Sequence, residues 1–393
     1  MVSWQQQRVD RQQSDSDRSV SRQRAWVEID LKALAHNVRV LKAWLNPTTK
    51  LMAVVKADAY GHGAVVVART ALIHGADSLA IATLAEGVEL RRQGIEAPIL
   101  ILGAINAVED IKALAAWELS ATICSAEQAL IFDRTLGNLG KTAAVHLQLD
   151  TGMSRLGTNW QHAREFASYV RNLPNLEIAS IYSHLATADE PERYFLELQH
   201  QRFQTAISRL QEAGLQPPML HLANSAATLS DRTTHYDMVR IGLALYGLAP
   251  APHLAGIVEL KPVLQVKAKV TQVKTIPAHE GVSYGRQYVT STDTRVAVVG
   301  IGYADGVPRN LSNHLQAIVG GQLVPQIGAI TMDQLMLRLE DRDQVQPGDV
   351  VTLIGREDQL EVNAEDWAKP LQTISWEILC GFKHRLPRIF IEP

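Results

Sequence analysis

A chain of 393 residues, at about 150 residues per domain, has room for two domains, each able to bury its own core. Apolar residues make up 46% and charged residues 20%, and the net charge is -3, so no electrostatic argument favours nucleic acid or an acidic membrane surface as a partner. Two cysteines, Cys124 and Cys380, are too few for a disulfide framework and lack the paired spacing of a zinc site, so a reducing compartment and no metal are expected.

Residues 1–24 are a run of Gln, Ser and Arg with almost no large apolar side chains, which reads as a disordered tail. Asp10, Asp15 and Asp17 argue against a transit peptide. Neither the apolar core of a secretory signal nor a stretch of about 18 apolar residues occurs, so the expected location is the cytoplasm with no membrane contact. After the short run Trp26 to Ile29, Asp30 is placed to cap a helix whose apolar positions Leu31, Leu34, Ala35, Val38, Leu41 and Leu45 repeat with helical period.

A repeated unit then begins, a short apolar run followed by an amphipathic helix, the pattern that forces parallel strands with helical crossovers. The runs are Leu51 to Lys56, Ser78 to Ala82, Pro98 to Leu102, Leu119 to Cys124, Val145 to Leu149, Ile178 to His184, Met219 to Ala223 and Met238 to Ile241. Eight strands close a TIM-type barrel. Ser125 with Gln128 predicts a capping box, and Gly75, Gly94 and Gly214 fall where helices should end. A doubly wound open sheet is the competing architecture, but no G-x-G-x-x-G follows the first strand. Moreover Lys56, Arg155, His184, Ser225 and Arg240 each lie at or just past the end of a different run, and in a barrel those ends share one face.

From about residue 261 the period changes to two, as in Leu264, Val266, Ala268 and Val270, with later apolar runs broken by Gly and Pro. The expected organisation is therefore a tail over 1–24, an α/β domain with an eight-stranded parallel barrel over 25–260, and a smaller all-β domain over 261–393. Trp26 to Ile29 is surplus to the barrel and is expected to pair with a strand of that C-terminal domain.

Lys56 ends a nearly pure apolar strand. Burial lowers a lysine pKa and favours the neutral amine that imine chemistry needs, although a lysine snorkelling from a strand end would look the same. Tyr60 lies four residues on, and glycines flank His62. The segment Val54-Val55-Lys56-Ala57-Asp58-Ala59-Tyr60-Gly61-His62-Gly63 resembles the pyridoxal phosphate (PLP) lysine motif of the alanine racemases. Further segments match that family in order and spacing: Asp150-Thr151-Gly152-Met153-Ser154-Arg155-Leu156-Gly157, Tyr182-Ser183-His184-Leu185-Ala186-Thr187-Ala188-Asp189, Ala223-Asn224-Ser225-Ala226-Ala227 and Val239-Arg240-Ile241-Gly242. Tyr246-Gly247, Gly281-Val282-Ser283-Tyr284-Gly285, Gly302-Tyr303-Ala304-Asp305-Gly306 and Thr331-Met332-Asp333-Gln334 complete the set, and the likeness runs from about residue 25 to the C-terminus.

The resemblance implies racemisation of L- and D-alanine on pyridoxal 5'-phosphate, supplying D-alanine for peptidoglycan. Two acid/base groups must then flank the substrate, and by resemblance these are Lys56 for the D-enantiomer and Tyr284 for the L-enantiomer. The family's pattern puts the cofactor phosphate against Tyr60, Ser225 and the backbone at Gly242 and Leu243, with Asn224 also among the cofactor-binding residues. It puts Arg240 at the pyridine nitrogen, with His184 linking it toward the tyrosine. Arg155 would pair with the substrate carboxylate and the cofactor's phenolic oxygen, Met332 would offer its backbone N–H to the carboxylate, and Asp189, Tyr303, Arg309 and His384 would line the entrance. In isolation Arg240 would read as a barrel-end salt bridge and Met332 as core. The family also implies a homodimer in which the β domain of one chain covers the barrel mouth of the other.

Two positions depart from the family. Gln148 stands where many members have a carbamylated lysine, so either the Gln148 carbonyl accepts directly from Arg155 or a small anion such as chloride fills the place, and activity should not depend on bicarbonate. His384 replaces a tyrosine that narrows the entrance, which leaves open a broader alanine and serine racemase. A decarboxylase of the same barrel class would place an acidic residue, not Arg240, at the pyridine nitrogen, and a single-barrel PLP carrier would lack the residues after Lys261.

Overall fold

The computed structural model describes residues 24–339 and 344–392, so the expected tail lies outside the described residues except for Arg24. The chain divides into two units, one of residues 33–59 and 63–261, the other comprising the segment up to Lys32, residues 60–62 and the chain from Pro262 onward.

In the first unit eight parallel strands close on themselves. Their order is Ser120–Ile123, Ile99–Ala104, Ser78–Ile81, Lys50–Val54, Met238–Ile241, Leu220–His221, Leu176–Tyr182 and Ala143–Asp150, and the last pairs back with the first. Each falls on one of the eight predicted apolar runs. Covered by helices outside and filled by side chains inside, such strands are buried on both faces, which is why Leu51, Ile81, Ile101, Val145 and Leu147 are inaccessible. Helices that end at Ile73, Arg92 and Glu212 are followed by Gly75, Gly94 and Gly214, as predicted.

The capping box at Ser125 is half formed. Ser125 Oγ accepts from Gln128 N at 3.1 Å, but the Gln128 carbonyl accepts from Cys124 N at 2.7 Å and its amide donates to Ile105 O and Thr122 O. Gln128 is buried, and these backbone groups at the strand end would otherwise lack partners.

The second unit is built on the 13-residue strand Leu264–Ile276, which alternates buried and partly exposed residues over its first half. It pairs antiparallel with Ala25–Asp30, Val350–Glu357 and Thr294–Val299, changing partner along its length. The surplus N-terminal run thus joins this sheet, in a register that sets Ala25 opposite Ala268 and Ile29 opposite Leu264, with Arg388–Ile391 parallel on its other side. Two short helices, Ala364–Leu371 and Ser375–Gly381, accompany the strands of this β unit. The first is opened by a reciprocal cap in which Asn363 Oδ1 accepts from Asp366 N and Asp366 Oδ2 from Asn363 N.

Candidate active site

The strand Lys50–Val54 delivers Lys56 two residues past its end, and the backbone there turns the unusual way. Ala57, Asp58, Ala59 and Tyr60 all have φ between +53° and +55°, forming a left-handed turn out of residues with side chains. Each such residue costs roughly 1–2 kcal/mol, so the turn must be held by its surroundings. In the barrel unit Ala57 N donates to Glu86 Oε1 at 2.7 Å, Ala59 N to Val55 O at 2.9 Å, and Ala64 N to Asp58 Oδ1 at 2.8 Å. Desolvation pushes the Tyr60 phenol up to about 12.

Arg155 follows the strand Ala143–Asp150 on a loop that folds back upon it. Asp150 Oδ1 accepts from Gly152 N and Ser154 N, and Gly157, at φ +108°, presses so closely on the strand that a Cβ would come within 2.9 Å of Asp150 N and Gln148 O. Arg155 is exposed. The direct Gln148–Arg155 hydrogen bond suggested by the sequence does not form. Gln148 Oε1 instead accepts from the Tyr182 hydroxyl at 3.0 Å, with Cys124 Sγ 3.9 Å away, because Gln148 is buried in the barrel wall.

Arg240 is almost wholly enclosed, at 3% exposure. Its Nη1 donates to His221 Nδ1 at 2.8 Å and His221 O at 3.2 Å, and its Nη2 to Ser183 O at 2.7 Å, Leu222 O at 3.0 Å and His184 Nδ1 at 3.3 Å. Burial pulls its pKa down to about 10. Because a guanidinium only donates, His184 must accept at Nδ1 and carry its proton on Nε2. Burial first, and then the charges of Arg240, Arg155 and Lys56, push His184 down to about 3, so three of the expected residues converge on this imidazole.

Ser225 opens the helix Ser225–Ser230, and its Oγ accepts from Gly242 N at 3.0 Å and Ala244 N at 3.4 Å, which draws together the ends of the last two strands. Asn224 caps the same helix, accepting from Ala227 N at 3.0 Å, and Leu243 begins a 3-10 turn. Asp189 is partly buried in the loop after His184.

Within the second unit Tyr284 stands 72% exposed on a turn whose flanking residues Ser283, Gly285 and Arg286 have φ of +63°, +71° and +46°. Ser283 Oγ anchors the turn by donating to Ala329 O at 2.7 Å. Tyr303 and Met332, both exposed, come together because Tyr303 N donates to Thr331 O and Ala304 N to Met332 O, each at 3.0 Å. Only glycine fits at 302, where a Cβ would lie 2.2 Å from Thr331 O. Beneath them Asp305 is buried, with Arg24 at 2.6 and 2.8 Å and Arg385 at 3.5 Å, and Arg385 also binds Asp333. His384 precedes Arg385 in this cluster, and Arg309 is exposed in a 3-10 turn.

The residues that sequence reasoning missed are polar side chains inside otherwise apolar barrel strands: His146, Ser180 and His221, buried and linked to Arg240, and Thr122 beside Tyr182. Their signal was the polar letter at an interior position, which an apolar-run reading passes over. Burial lowers His146 to about 4 and His221 well below the ordinary range. With His184 these are imidazoles that stay neutral in the fold, whereas an unfolded chain takes up protons below about 6.5. Stability is therefore lost as pH falls from 6.5 toward 4, by an expected several kcal/mol in total. Thermal melts from pH 7 to 4.5 check this, and a flat midpoint would contradict it.

Among the described residues no helix is long and apolar enough to cross a membrane, and no group of three His, Cys, Asp or Glu side chains is placed to hold a metal ion. The family models for the alanine racemase N-terminal and C-terminal domains match residues 29–250 and 263–390. Alanine racemases of Nostoc sp. and Synechocystis sp. are both 61% identical to this chain, covering 93% and 94% of it and 96% and 100% of their own lengths. Among solved structures, the alanine racemase of Clostridium difficile superposes with TM-score 0.90 at 34% identity over 94% of this chain and 96% of its own. That of Bacillus anthracis, solved with bound L-Ala-P, gives 0.88 at 38% identity over 94% and 95%.

Proposed function

The chain belongs to the alanine racemase family, its enzyme class is that of an alanine racemase, and from that premise we propose that it interconverts L- and D-alanine by a two-base mechanism on pyridoxal 5'-phosphate. The observation that carries the cofactor reading is Arg240. Its guanidinium is buried among carbonyl oxygens and imidazoles, with no carboxylate among its contacts in the described residues. A buried charge without a counter-ion is costly, and an anionic ligand with a hydrogen-bond acceptor relieves that cost.

The residues fit such a group. Ser225, Gly242, Leu243 and Tyr60 would hold its phosphate with Asn224 beside them, Arg155 would pair with its phenolic oxygen, Arg240 with its ring nitrogen and Lys56 with its carbonyl carbon. When bound, the cofactor supplies the electron sink that acidifies the substrate α-hydrogen. Arg240 donates without giving up its proton, so it would hold the nitrogen unprotonated and keep the sink weak, which suits racemisation over transamination. Lys56 and Tyr284 move the proton on opposite sides of the substrate, and Arg155 and Met332 hold the carboxylate. A phenol is a poor base near neutrality unless its anion is stabilised, and the Nε2–H of neutral His184 is a donor suited to that task.

Exposed Tyr284 and Met332 suit a surface that completes a neighbour's site, so the active form is proposed to be a homodimer with shared sites. Its role is to supply D-alanine for peptidoglycan in the cytoplasm. Borohydride reduction of the holoenzyme followed by peptide mapping should fix the cofactor on Lys56, and alanine should be the best substrate in a racemisation panel that includes serine. Label on another lysine, or carbon dioxide release without racemisation, would overturn the assignment.

A further inference from the structure

Four adjacent barrel strands carry the buried polar side chains Arg240, His221, Ser180 and His146, and these form one chain of hydrogen bonds. Arg240 Nη1 lies 2.8 Å from His221 Nδ1, His221 Nε2 lies 2.8 Å from Ser180 Oγ, and Ser180 Oγ lies 2.6 Å from His146 Nδ1. All four are buried. The guanidinium has no acceptor, which sets the direction of the first two bonds, and among the described residues His146 Nδ1 is then the one remaining partner to which the Ser180 hydroxyl can donate. His221 therefore accepts at Nδ1 and carries its proton on Nε2, Ser180 receives that proton's hydrogen bond, and the serine hydroxyl donates to His146 Nδ1. Tyr182 stacks on the His221 ring at 4.6 Å and 7°, and Arg240 lies 5.0 Å from the Tyr182 ring, so the imidazole is clamped as well as bonded.

We propose that Ser180 is a positioning residue of this active site, its hydroxyl holding His221 in the Nε2–H tautomer so that His221 Nδ1 remains a fixed acceptor for Arg240. The inference rests on the reading that Arg240 orients the cofactor. Without the hydroxyl, His221 either keeps an Nε2–H with no acceptor or moves the proton to Nδ1, where it faces a donor. Both outcomes loosen the guanidinium. A serine that merely filled space would have no influence on where that proton sits.

The test uses histidine-selective 15N labelling of the holoenzyme, with His221 assigned by a His221→Gln variant, together with steady-state kinetics. The wild-type His221 should show a protonated Nε2 and a bare Nδ1, a result that needs no variant of Ser180. Ser180→Ala should mix the tautomers and lower kcat about tenfold, the equivalent of one orienting hydrogen bond, with KM for alanine within about twofold. Ser180→Thr, which restores the hydroxyl, should return both tautomer and kcat. A His221 protonated on Nδ1 in the wild type, or a Ser180→Ala enzyme with unchanged kcat, overturns the proposal. Arg240→Gln assayed alongside separates the premise: full activity in that variant would remove Arg240 from the mechanism, whereas loss there with an unaffected Ser180→Ala enzyme sinks the role of Ser180 alone.

Discussion

In heavy water, Tyr284→Phe is expected to stop α-hydrogen exchange from L-alanine while leaving exchange from D-alanine near the wild-type rate. Removing a positioned acid/base group costs about 10²–10⁴-fold in the step it serves, so exchange from the L-enantiomer should fall by that factor and net racemisation with it. The asymmetry is the informative part. Lys56 would still exchange the proton on its own side, whereas Lys56→Ala should abolish both directions because in the proposed mechanism the same amine also secures the cofactor. Structure supports using phenylalanine for the purpose. Tyr284 is 72% exposed, its turn is held by Ser283 Oγ on Ala329 O, and the phenol makes no bond on which the described fold depends. Deuterium incorporation measured separately from each enantiomer decides the matter, and equal retention from both would exclude the phenol as a base.

Asp305→Ala should be among the most destabilising single changes in the second unit, by about 3 kcal/mol. The carboxylate is 1% exposed and takes a two-pronged ion pair from Arg24, a second cation from Arg385 and the Gly302 N–H at 2.9 Å. Truncation leaves two guanidinium groups facing one another without their shared anion. Because Arg24 is 34% exposed at its side chain, water recovers part of the loss, which places the cost at the lower end of the range for broken buried pairs. A fall in thermal midpoint of roughly 6–12 °C would follow, and Asp305→Asn, which keeps an acceptor for Gly302 N, should fall less. Loss of that anchor would also free the turn carrying Tyr303, so activity should decline at temperatures below the melt. A midpoint within 2 °C of wild type would show that the pair contributes little.

Several features were readable from residue order because they depend on local chemistry. The eight barrel strands announced themselves as apolar runs because both faces of a parallel strand are buried, and Leu264, Val266, Ala268 and Val270 announced a half-buried strand by strict alternation. The helix Ala364–Leu371 carried a signal too, since Asn363 and Asp366 have the spacing of a reciprocal cap, but the reading of an all-β ending passed over it. The left-handed turn at Ala57 to Tyr60 carried none. Ala57, Ala59 and Tyr60 have no preference for positive φ, and they adopt it because Glu86, brought from another helix, and the strand end at Val55 hold the backbone there.

The sequence by itself determined the architecture, a parallel barrel followed by a β unit, since hydrophobic period and strand ends are properties of neighbours along the chain. Only the tertiary structure decided which polar groups are paired. Among the described residues Gln148 turns to Tyr182 and not to Arg155, and Arg240 meets His221, His184 and three carbonyl oxygens but no carboxylate. The reason is that a buried hydrogen bond is settled by competition among all donors and acceptors within about 3 Å, and those come from strands far apart in the chain.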